Sequence, residues 1–284
     1  MATTRRDYRG LALDALAIGA VAALLVGIHV LVPAGLRHEL ALQYARPDPL
    51  HALTAAYVHL TDAHLVGNVG GLLAGGGWLL LVSWLADERR WARFSFAWFL
   101  TALPIAVGMT GAALVGGPLT TRGFSGVVAG LAGFGLVGVG VVLHRAYGVD
   151  RWLAWDVVAA VTVVVAAEIL WLVTGTLSTA AGGLLALGGV ATVLPIARAG
   201  YHAGLPADRD GWRRLVGAAV TAGLLGLLVV VFVVGLFPTD IASGESITNV
   251  LGHYLGLVYG AVIAGWGYRY WSTAPARSPE NRRS

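Results

Sequence analysis

The chain has 284 residues, 57% of them hydrophobic and only 12% charged, about half the charged share of a soluble domain. Its formal net charge of +4 comes from residues scattered between apolar runs, which argues against a nucleic-acid-binding face. The absence of cysteine rules out disulfides, thiolate metal sites and a cysteine nucleophile.

Eight apolar runs are long enough to cross about 30 Å of hydrocarbon, which takes about 20 helical residues. In chain order they cover 11–32, 64–86, 94–115, 124–143, 152–173, 177–197, 215–237 and 247–271. Asp14 and His29 interrupt the first, and no convincing small-residue cleavage site follows it, so it reads as an anchor and not a cleaved leader. Every basic residue is an arginine. With both termini cytoplasmic, all but Arg37, Arg46 and Arg122 fall in inner loops, as the enrichment of basic residues on that side requires.

The expected architecture is therefore an all-α polytopic bundle of about eight spans in a multi-pass protein of the cell membrane. It forms one domain over 1–271, with 272–284 as a solvated, disordered cytoplasmic tail. The longest external segment, 33–63, turns at "ARPDPL" and is expected to lie on the membrane surface. Partners are the lipid bilayer and other membrane proteins, not nucleic acid; the pattern specifies no oligomeric state.

Polar groups inside such runs are costly and default to functional residues. Ser125, in "GFSG", opens the fourth run between Gly123 and Gly126, with Gly130 and Gly133 continuing a bare face. Helix packing alone explains such a face. In the eighth run, Gly256 and Gly260 follow His253 at i+3 and i+7, so histidine and glycines share one side. By the topology above, the fourth and eighth helices run parallel, with serine and histidine at matched depth near the outer surface. On the second helix, His64 and Asn68 are four apart in "HLVGN" and share a face. A side-chain amide in hydrocarbon needs a partner, and one use for such a donor is to stabilise an oxyanion. Glu168 reads as a snorkelling or capping residue, with a proton or cation site of a transporter as the functional alternative; Asp14 and Asp156 are expected at the interface.

In order, "HLVGN", "GFSG" and "GHYLGLVYG" resemble the pattern of the rhomboid family of intramembrane serine proteases, over roughly residues 60–260. The resemblance implies Ser125 as nucleophile, His253 as general base, and Asn68 with His64 and the Ser125 backbone N–H as oxyanion hole. It further implies His59 as a supporting histidine, Gly123, Gly126, Gly256 and Gly260 as supporting glycines, and transmembrane proteins as substrates. No metal or other cofactor is implied. The chain departs from the family in having three predicted spans, not one, between the serine and histidine helices. It also lacks the Trp-Arg pair of the first external loop, and Ala129 stands where a tyrosine is common. Two other readings remain open: an inactive relative that binds client transmembrane helices, and a transporter built around Glu168.

Overall fold

The computed structural model describes residues 8–174, 208–236 and 244–272, the side chains of 168, 171–174, 244–249 and 271–272 excepted. The long helices are α1 (Tyr8–Leu31), α4 (Asp62–Ala86), α5 (Arg89–Val115), α6 (Ser125–Tyr147), α7 (Arg151–Thr174), α8 (Arg209–Leu236) and α9 (Gly244–Ser272). Two short helices, α2 (Ala34–Glu39) and α3 (Pro49–Ala55), lie between α1 and α4. Among the described residues, six helices are long and apolar enough to span a bilayer: α1, α4, α5, α6, α8, and Val250–Tyr270 within α9. The chain is thus a helical, multi-pass membrane bundle. The fifth predicted run coincides with α7, while the run 177–197, the tail and the Glu168 side chain lie outside the described residues.

At the centre stands α6, buried along nearly its whole length and packed on α4, α5, α7, α8 and α9. Its glycine-rich sequence explains the position, because a helix ringed by five others needs small residues wherever a neighbour approaches. Paired contacts give the directions. Gly71, Gly75 and Gly138 meet Val128, Leu131 and Val82 in turn, so α4 and α6 run parallel. Gly126, Gly130 and Gly133 meet residues of α9 in rising order, so α9 is parallel too, as the arginine pattern predicts. In contrast, α7 and α8 both run opposite to α6: Gly140 meets Val158, and Tyr147 meets Gly217 and Thr221.

At one end of the bundle, the Asp14 carboxylate accepts from Arg89 Nη2 at 2.9 Å and Arg93 Nε at 2.7 Å, and Glu88 pairs with Arg145 at 2.9 Å. Asp14 is thus not simply an interfacial residue; it ties α1 to α5. Below this, Trp91 stacks on Phe134 and donates its indole N–H to the Ala264 carbonyl at 2.7 Å.

At the other end, the segment 33–63 folds onto the bundle. α3, capped by Asp48, packs against α5. A short strand, β1 (Leu42–Gln43), pairs antiparallel with β2 (Thr120–Thr121), Leu42 opposite Thr121, adding a minimal β element to the expected all-α fold. The Tyr57 hydroxyl donates to the Leu100 carbonyl at 2.5 Å. The segment is held because Leu42, Tyr44, Ala52 and Ala55 bury themselves with Ala112 of α5.

Candidate active site

β2 leads directly into the "GFSG" turn, and the Gly123 N–H donates to the Ala55 carbonyl at 2.8 Å. Gly123 has φ +110°, in the region that disfavours side chains. It also has no room for one, since a Cβ there would stand 2.5 Å from His64 Cε1 and 3.3 Å from Asn68 Nδ2. The first turn of α6 therefore starts against the two polar residues of α4. No side chain among the described residues caps α6, and the first backbone N–H groups of a helix have no intrahelical acceptor. Ser125, half-buried, occupies the first position of that turn.

The other side of α6 meets α9 backbone to backbone. A Cβ at Gly256 would collide with the Gly126 carbonyl, and one at Gly260 with that of Gly130. Ala129, where the resembled family often has a tyrosine, lies against Gly256 in this seam, and its small size is compatible with the close approach. One turn above Gly256 on α9 is His253, 8% exposed.

Ser125, His253, Asn68 and His64 all line one cavity of about 680 Å³. Its remaining walls include Gly67, Gly70, Gly71 and Trp78 of α4, Val128 and Leu131 of α6, and residues of α8 between Leu228 and Leu236, with Phe232 reaching across to Gly75. Asn68 is only 5% exposed, and its Nδ2 finds no acceptor among the described residues. Such a donor left unpaired costs roughly 1–3 kcal/mol, so a desolvated N–H₂ group without an acceptor stands at the cavity wall.

His59 is 1% exposed and does not line the cavity. Its ring packs edge-to-face on His64, centroids 5.2 Å apart. Burial, with smaller contributions from His64, His29 and Arg37, pushes its imidazole down to about 3, so it is neutral near pH 7. Its carbonyl accepts from Arg37 Nη1 at 2.8 Å; Arg37 also reaches His29 Nδ1, and His29 Nε2 donates to Asp62 at 2.8 Å. This relay from α1 through α2 to the start of α4 has no local signature, because its members are up to 33 residues apart.

The structure thus brings the four predicted catalytic and oxyanion residues to one cavity and the supporting glycines to the seams beside it. No group of three or more potential metal ligands occurs among the described residues. The chain finds no match among models of protein families, among curated proteins or among solved structures.

Proposed function

We propose that this protein is a rhomboid-like intramembrane serine protease that cuts peptide bonds in or beside the transmembrane segments of other membrane proteins. The observation that carries the reading is the shared cavity: a serine, a histidine and an unpaired amide donor face one space between membrane-length helices. Ser125 Oγ attacks the substrate carbonyl while His253 takes its proton, since a serine hydroxyl is a weak nucleophile without a base. The tetrahedral oxyanion is held by Asn68 Nδ2, the Ser125 backbone N–H and His64. His253 then protonates the departing amine, and water hydrolyses the acyl-enzyme by the same route in reverse roles.

No carboxylate is among the described residues that line the cavity, so the reading is a Ser-His dyad and not a triad. The site faces outward, with both termini in the cytoplasm, in keeping with the arginine distribution. A substrate helix must unwind locally to offer a carbonyl, which favours small or helix-breaking residues near the cut.

The test is reconstitution in liposomes with a panel of single-span proteins. Cleavage by wild type that disappears in both Ser125→Ala and His253→Ala supports the reading. Unimpaired cleavage by His253→Ala contradicts the dyad, and binding of transmembrane helices without cleavage favours the client-binding alternative.

A further inference from the structure

The proposed chemistry leaves one polar group of the cavity unused. Trp78 lies on α4 ten residues beyond Asn68, about 15 Å further along at about 1.5 Å per residue, and lines the same continuous space. Its indole Nε1 is buried and has no hydrogen-bond partner among the described residues. The described cavity walls at this depth, including Leu131, Ala132, Leu228 and Phe232, supply no side-chain acceptor. Facing it on α6 is Gly135, where a Cβ would come 2.8 Å from Nε1. Only glycine there leaves room beside the N–H edge of the ring, and a buried donor without a partner carries the full penalty of its lost hydration.

Resting on the protease reading, we propose that Trp78 is a specificity-determining residue whose Nε1–H takes a main-chain carbonyl of the bound substrate, four or five residues from the cleaved bond on its bilayer-buried side. An extended chain advances about 3.3 Å per residue, so that many residues cover the 15 Å or so from Asn68 to Trp78. A helical segment has no carbonyl to spare there, because each is bonded within the helix. An unwound segment in an apolar channel has carbonyls with nothing else to bond. The substrate class this selects is a transmembrane segment that stays extended for several residues past the cut, not one that refolds into helix at once.

The experiment uses the full-length protein in detergent and two fluorogenic peptides with the same Gly- and Ala-rich cleavage segment. One ends two residues past the cut; the other continues for six. Wild type is expected to prefer the longer peptide by about tenfold in kcat/KM, the scale of one hydrogen bond. Trp78→Phe keeps an aromatic ring without the donor, and should erase that preference while leaving the short peptide's kcat/KM unchanged. If this variant does not fold, Gly135→Ala, which crowds Nε1, should give the same selective loss. A wild type with no length preference, or a loss shared equally by both peptides, overturns the assignment. Fluorophosphonate labelling of Ser125, with a probe too small to reach Trp78, is read in parallel. Labelling that persists in Trp78→Phe confines any failure to this inference, whereas wild type without labelling means the protease reading itself has failed.

Discussion

The α6–α9 seam and the α4 wall of the cavity are both rich in glycine, yet one is closed and the other open. Across the seam, glycines face glycines, and the Gly256 and Gly260 backbones rest on the carbonyls of Gly126 and Gly130. Toward α4, the same central helix presents Val128 and Leu131, which fill the spaces at Gly71 and Gly75 and hold the two helices apart. Gly67 and Gly70 consequently meet nothing within 4 Å among the described residues and line the cavity. Glycine permits close approach only where the partner is also bare. The closed seam sets the level of Ser125 against His253, and the open side leaves room for a substrate beside Asn68.

Breaking the seam should have the largest effect. Gly256→Val drives its side chain into the Gly126 carbonyl; overpacking of this kind costs about 1–3 kcal/mol, occasionally more. Both the thermal midpoint in detergent and all proteolytic activity should fall, and a fully active, equally stable variant would show that the seam does not position the dyad.

On the open side, Asn68→Ala should leave the thermal midpoint nearly unchanged while lowering kcat about 100- to 1,000-fold, the usual cost of one oxyanion donor. A proportionate loss of stability would instead assign Asn68 to packing.

A smaller effect concerns His59, which anchors the back of His64. Its folded-state value of about 3 lies below the ordinary 6.5, so the unfolded chain binds the proton first. The contribution of this group to stability is present above pH 6.5 and is lost as pH falls toward 3. The thermal midpoint should drop over that interval, and His59→Phe should flatten part of the drop; an unaltered profile would remove His59 from the account.

The smallest effect is expected at Gly67→Ala, whose methyl enters empty space. Helix propensity predicts no loss of stability and a gain of up to about 1 kcal/mol. Marked destabilisation there would mean the cavity is closed in the membrane.

The parts of this arrangement that the sequence announces are those set by short spacings. His64 and Asn68 share a helical face because they are four apart, and Gly256 and Gly260 follow His253 at i+3 and i+7. The parallel course of α6 and α9 follows from the sidedness of the arginines, whatever lies between them. The remainder is non-local. The docking of the 33–63 segment on the bundle has no local signal because its anchor, the pairing of Leu42 with Thr121, joins residues far apart in sequence. The α8 wall, Leu228 to Leu236, is an unbroken apolar run with nothing to mark which side meets the cavity. Trp78 is one of ten tryptophans, indistinguishable by composition from those that anchor helices at a membrane surface.

The central claim is that His253 activates Ser125, and it is tested most directly by fluorophosphonate labelling of the purified protein, in detergent and in lipid, beside Ser125→Ala and His253→Ala of equal thermal stability. The account predicts covalent labelling of wild type at Ser125 and none in either variant. Labelling of His253→Ala at the wild-type rate, or no labelling of well-folded wild type in lipid, would contradict it.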